Sequence, residues 1–193
     1  MEEKAAGVCV GIVNDLNDPD NLGRVRVKFP HLGEKLSDWA RPVSLMAGNE
    51  RGTFFRPEVG DEVIVIFEHG DPRFPYIVGS VWSRTDKTPP QGGSATDNNW
   101  RIIKSRSGHI IKLNDKNGAE TIEIIDKDGS HKVVIDSANK KIKVTCDNGD
   151  VEVSASQGTV KIDAMTVEVK SSGNMSLEAT GTMTIKGATV NIN

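Results

Sequence analysis

The sequence predicts an all-β protein in two parts: a five-stranded barrel, then a rod in which three chains wind into a triangular prism. Three observations carry this prediction. No segment longer than about ten residues has a helical apolar period. All nine aromatic residues lie between Phe29 and Trp100, and all eight prolines between Pro19 and Pro90, so residues 101–193 contain neither. That second half instead repeats one short unit, a pair of apolar residues separated by one position. A chain of 193 residues fits one large domain or two small ones, and such uneven composition favours two. The expected division is 1–84 barrel, 85–99 linker and 100–193 rod.

Five β-rich runs separated by turn chemistry define the barrel. Val8–Val13 is the first. The turn from Asp15 to Gly23 follows, crowded with residues that tolerate tight or left-handed backbone. Arg24–Phe29 alternates cleanly, with Val25, Val27 and Phe29 on one face and Arg24, Arg26 and Lys28 on the other. Trp39–Leu45 is the third run, Glu62–Phe67 the fourth and Tyr76–Val81 the fifth, the last two entered through Pro57–Asp61 and Gly70–Pro72. Five strands in roughly 75 residues suggest a barrel of the OB type. The fourth run, Val63-Ile-Val-Ile-Phe67, is apolar on both faces. Either a loop covers its outer face or another subunit does, which makes Val63, Val65 and Phe67 a candidate subunit or hub contact.

Residues 85–99 are rich in Pro, Gly, Ser, Asp and Asn, as a linker would be. Beyond them the pairs are Ile142/Val144, Val151/Val153, Val160/Ile162, Val167/Val169, Met175/Leu177, Met183/Ile185 and Val190/Ile192, with a mean spacing of eight residues. Gly149, Gly158, Gly173 and Gly181 stand two residues before four of these pairs and read as repeat corners, where the chain turns sharply. Ile111/Leu113, Ile122/Ile124 and Val133/Ile135 look like the same device with longer turns. Residues i and i+2 of a strand face the same way, so each unit buries two side chains and exposes Ser, Thr, Lys, Glu, Asp or Gly. One such chain has nothing to cover its apolar edge, and repeats bury their core by stacking on neighbours.

Three chains wound together close a prism with no free lateral edge. Its core would be Val144, Val151, Val153, Val160, Ile162, Val167, Val169, Met175, Leu177, Met183, Ile185, Val190 and Ile192. A fully paired ladder cannot spare a donor to proline, and a thin axis has no room for rings. Roughly eleven layers at strand spacing give a rod of about 50 Å. An antiparallel sandwich and a single-chain parallel β-helix remain alternatives. No calcium-binding GGxGxD nonapeptide occurs.

Charge and chemistry narrow the function. With 24 Lys+Arg against 27 Asp+Glu the net charge is −3, without the basic excess of a nucleic-acid binder. Cys9 and Cys146 are far apart, form no CxxC pair, and have no zinc-ligand spacing to His31, His69, His109 or His131. They are expected as reduced thiols. No GxSxG, HExxH or P-loop is present, so no catalytic residue, metal site or cofactor is expected. The N-terminal MEEKAAG has neither a basic n-region nor an apolar h-region, and no apolar run reaches a membrane span; the expectation is a protein made in the cytoplasm without a signal peptide.

The stretches GIVNDLNDPDNLGRVRVKFP (Gly11–Pro30), SDWARPV (Ser37–Val43) and RGTFFRPEVGDEVIVIFEHGDPRFPYIVGSVW (Arg51–Trp82) resemble the OB domain of contractile-tail central spikes. These are the phage baseplate assembly protein V and the valine–glycine-repeat (VgrG-like) spikes of contractile injection systems. RSGHIIKLND (Arg106–Asp115) resembles that family's passage into its β-helix. The resemblance implies a homotrimeric structural protein that docks to a baseplate hub through its OB end, lies below the tail tube, and pierces the target membrane mechanically. It implies incorporation in the baseplate of a phage tail or injection particle.

Departures from the family add expectations. The OB-like segment begins at Gly7, so the hub is expected to be a separate protein. Only Thr85–Asn99 stands where some phage spikes insert a lysozyme domain. No His follows His131, so an iron-binding tip is not expected, and the chain stops within the repeat at Val190, Asn191, Ile192 and Asn193. That blunt end would seat a conical cap of the PAAR-repeat type. The competing class is a β-helical adhesin or tail-fibre segment that binds a surface receptor.

Overall fold

The computed structural model describes residues 7–33, 35–90, 94 and 96–192. Part of the expected linker (Gln91, Gly92, Gly93, Ala95) and Asn193 of the expected tip lie outside the described residues. The chain divides into two compact units, Met1–Asn148 and Gly149–Asn193.

The barrel is built from eight strands: β1 (Cys9–Asp15), β2 (Arg26–Phe29), β3 (Lys35–Leu36), β4 (Arg41–Pro42), β5 (Ala47–Gly48), β6 (Arg51–Gly52), β7 (Glu62–Phe67) and β8 (Pro75–Ser80). Six of them form one sheet in the order β3-β2-β1-β7-β8-β4, with β5 and β6 as a separate hairpin. All pairings are antiparallel except β4 with β8. The sheet curls on itself: Val25, just before β2, exchanges both backbone hydrogen bonds with Ala40, just before β4 (3.0 and 2.8 Å). Each of the five expected runs thus contributes a strand, the third shortened to two residues, while β3 is an added pair at the sheet edge.

Alternation decides what is inside. Val13, Val25, Val27, Phe29, Ala40, Val63, Val65 and Ile77 form the buried core. The predicted inner face of β2 is therefore the observed one. For β7 the structure corrects the expected partner contact. Val63 and Val65 are fully buried in the barrel's own core, between β1 and β8. Phe67 packs against the same core and meets the Phe29 ring at 5.9 Å between centroids. The face turned outward is that of Ile64 and Ile66. Side chains one residue apart point to opposite faces, and an all-apolar strand does not say which face is which.

The long turn between β1 and β2 is organised by one carboxylate. Asp18 accepts the backbone N–H of Leu22 (2.8 Å), Arg24 (3.1 Å) and Asp20 (3.2 Å) and holds the Arg24 guanidinium at 2.6 and 3.0 Å. Arg24 also pairs with Asp20. The turn needs left-handed backbone at Asn21 and Gly23, and a Cβ on Gly23 would stand 2.9 Å from the Phe54 ring. The Arg24 hydrogen bonds hold the Asp18 carboxyl well below its ordinary 3.8. Such a depressed group contributes stability above its unfolded pKa and loses it as the pH falls through its folded value. Asp18→Asn is expected to lower the melting temperature at pH 7 by several degrees. The gap between mutant and wild type should close as the pH falls below about 4, read by circular dichroism across a pH series.

Residues 100–146, expected as the start of the wound rod, form an antiparallel meander in the single chain. Its strands are β9 (Trp100–Lys104), β10 (Ile110–Asn114), β11 (Thr121–Ile125), β12 (His131–Asp136) and β13 (Lys141–Cys146), paired in sequence order. Short turns make consecutive strands neighbours; three contain a glycine with positive φ (Gly108, Gly118, Gly129), and the fourth has Lys140 at φ 53. In the second unit, described residues 149–192 contain neither strand nor helix.

Candidate assembly interface

The register of the meander lines its apolar residues into two rows. Ile103, Ile111, Ile124, Val133 and Val144 are cross-strand neighbours in the first. Leu113, Ile122, Ile135 and Ile142 make the second, with Arg101 at its β9 end. Adjacent rows lie two residues apart along each strand, so both occupy one face. All nine aliphatic side chains are exposed, from 38% at Val133 to 71% at Ile142.

The opposite face is the better covered one, and there Ile102, Ile110, Ile125 and Val134 alternate with charged and polar side chains. Lys112 lies 4.4 Å from the Trp100 ring centroid and 2.8 Å from Glu123, and the two charged side chains are only 14% and 16% exposed. Thr121 donates to the same Glu123 carboxylate at 2.7 Å. A contiguous face of nine exposed aliphatic side chains is more than a finished monomer surface usually shows.

Of the expected core residues, Val144 stands on β13 opposite Val133. Val151, Val153, Val160, Ile162, Val167, Val169, Met175, Leu177, Met183, Ile185, Val190 and Ile192 are all exposed, and one chain brings none of them into a shared core. Gly149 adopts φ 110, a sharp departure that suits a corner. Gly158, Gly173 and Gly181 lie in segments without strand partners, and Gly173 and Gly181 have open space where a Cβ would stand. At the expected tip, Val190, Asn191 and Ile192 are exposed.

A second apolar surface on the barrel went unnoticed in the sequence. Leu22, Val43, Leu45, Met46, Phe54 and Phe55 are exposed around the β5–β6 hairpin, Leu45 almost completely. Hydrogen bonds tie down the segment that carries them. Ser44 bonds Thr53 and Met46 across the hairpin base, and Arg56 ties the segment to the backbone carbonyls of Leu16 and Arg24. The signal was the Phe54-Phe55 pair, adjacent aromatics in a run without alternation.

The outward arginines in β2 and just before it are engaged. Arg24 and Arg26 stack on the Trp39 ring at 5.9 and 5.0 Å, and Arg24 is also held by Asp18 and Asp20. Further round the barrel, Arg41 stacks on Tyr76, whose hydroxyl donates to Glu68 at 2.6 Å. Arg73 holds the Asp71 carboxyl down at about 2 by hydrogen bonding. Cys9 and Cys146 are not joined in a disulfide. Among the described residues no group of three or more His, Cys, Asp or Glu could hold a metal ion, and no helix is long and apolar enough to cross a membrane.

The fold is that of an all-β protein, a curled OB-like sheet followed by an antiparallel meander with an exposed aliphatic face. Residues 9–82 match the family described as type VI secretion system/phage-baseplate injector OB domain. The barrel is thus similar to the OB domain of type VI secretion and phage-baseplate injectors, and the chain resembles spike proteins of that kind. It is 34% identical over 111 residues to the type VI secretion system spike protein VgrG3 of Vibrio cholerae serotype O1, covering 53% of this chain and 11% of that one. It is 34% identical over 116 residues to VgrG1a of Pseudomonas aeruginosa, covering 54% and 18%. A 76-residue stretch is 40% identical to the actin cross-linking toxin VgrG1 of Vibrio cholerae, 37% of this chain and 7% of that protein. The chain therefore spans less than a fifth of the length of these relatives.

Proposed function

We propose that the chain is a homotrimeric central spike of a contractile tail or injection particle, a structural protein without catalytic chemistry. The observation that carries this reading is the uncovered face of nine aliphatic side chains on β9–β13. Its continuation is an eight-residue repeat that finds no partners within one chain. Leaving so large an apolar face in water is unfavourable at roughly 25 cal/mol per Å², and two further copies supply the same face in the same register. Winding residues 149–193 of three chains would give every repeat a neighbour on each side and remove free edges. The barrel then docks to a hub, with the Leu45–Phe55 surface as the contact in place of Val63 and Val65. The rod points at the target envelope, and its end receives a PAAR-like cap.

Mass decides the first step. Light scattering on the full chain is expected to give three times the 20.9 kDa monomer. A monomer or dimer at micromolar concentration sinks the spike reading. For the tip, deletion of Thr189–Asn193 should abolish capture of a candidate cap protein in a pull-down while leaving three chains in the assembly. Undiminished capture would remove the tip from the cap interface.

A further inference from the structure

His131 stands on β12 two residues before Val133, on the aliphatic face and beside its first row. We propose that His131 is a proton-operated clamp: as an imidazolium it ties the β11–β12 turn to the chain at Asn148, and on losing its proton it must release one of them. The geometry requires this. Nδ1 lies 3.2 Å from Oδ2 of Asp126, and Nε2 lies 2.7 Å from the backbone oxygen of Asn148. Both partners are acceptors, so both ring nitrogens must carry protons for both bonds to exist. A neutral imidazole has one N–H and satisfies only one of them.

The surroundings reinforce the arrangement. Asp126 also accepts the His131 backbone N–H at 3.0 Å, and its own N–H donates to the His131 carbonyl at 3.0 Å, so the turn and the ring are one unit. Across the ladder His131 pairs with Cys146, whose thiol donates to the same Asn148 oxygen at 3.6 Å. Asp147 donates its N–H to Ser130 at 3.1 Å and adds a second negative charge near the ring. The charged groups that act on the ring are therefore Asp126 on the turn and Asp147 beyond β13, and both favour the cation.

The Asp126 hydrogen bond, then that of Asn148, raises His131 above its ordinary 6.5. The His131 backbone and side-chain bonds lower Asp126 below 3.8. The histidine contribution is complete below the unfolded value and is lost as the pH rises through the raised folded value. The aspartate contribution is complete above 3.8 and is lost as the pH falls through its lowered value. The clamp is thus closed where Asp126 is ionised and the pH lies below the raised His131 value, and it opens on the alkaline side.

The test uses the full chain labelled with 15N-histidine. His131→Gln identifies the His131 signals against those of His31, His69 and His109. The expected result is an imidazolium with both nitrogens protonated, titrating above 6.5 in wild type and at a lower midpoint in Asp126→Asn. Hydrogen exchange of the Asp147 amide, corrected for its intrinsic pH dependence, should lose protection as the wild type passes that midpoint. His131→Gln should show no such step. A midpoint at or below 6.5, or an unchanged step in His131→Gln, overturns the proposal.

Discussion

Replacing Ile124 by aspartate is expected to reduce the assembly to monomers at concentrations where wild type is a trimer. Ile124 sits at the middle of the first aliphatic row, between Ile111 and Val133. In a three-chain rod the substitution places three like charges on covered faces, where each costs several kcal/mol to bury unpaired. Each aliphatic neighbour contributes on the order of 1–3 kcal/mol when it leaves water, so three buried charges outweigh most of one row. Val151→Asp and Ile162→Asp should act the same way further along the repeat. Exchanges at Lys161 and Glu168 should do little, because each already pairs with a neighbour two residues away at the surface. The readout is mass by light scattering. A stable Ile124→Asp trimer would show that the β9–β13 face is not covered by other copies, whatever the mass of wild type.

The second large effect belongs to the barrel. Val63→Asp is expected to prevent the barrel from folding, and Ile66→Asp on the same strand to leave it folded. Val63 is fully buried between Gly11 of β1 and Ser80 of β8, in the aliphatic core. An unpaired carboxylate there costs about 4 kcal/mol or more, a large share of a small domain's stability. Ile66 faces outward and is 38% exposed, so an aspartate there stays hydrated. Val65→Ala should cost about 2 kcal/mol by lost burial and cavity alone. Near-ultraviolet circular dichroism of the tryptophans follows the outcome. A folded Val63→Asp barrel would overturn the assignment of faces on β7.

These expectations rest on unequal shares of sequence and structure. Val25, Val27 and Phe29 could be placed inside from sequence because Arg24, Arg26 and Lys28 intervene. No such marker exists in Val63–Phe67, where five apolar residues leave the two faces equivalent until β1 and β8 are laid beside them. The meander pairs Ile111/Leu113, Ile122/Ile124 and Val133/Ile135 were legible as same-face pairs, yet not as antiparallel neighbours. Pairing direction depends on how each turn closes, and the turns at Gly108, Gly118, Gly129 and Lys140 close tightly. Asp18 was visible only as one of several turn-forming residues; that it gathers the N–H groups of Asp20, Leu22 and Arg24 is a property of the folded loop. The Phe54–Phe55 surface left only its adjacent aromatics as a signal and the His131 clamp left none, because each joins residues from separate segments.

By itself the sequence determined the all-β class, the five β-rich runs of the barrel, the loss of proline and aromatic rings after Trp100 and the eight-residue repeat. All of these follow from local periodicity and from where proline and aromatic rings are tolerated. Only the tertiary structure decided which face of β7 is core, that residues 100–146 pair within their own chain, and that their aliphatic face is left bare. Burial and strand direction depend on contacts between segments distant in sequence, and local alternation carries no information about which partner those contacts will find.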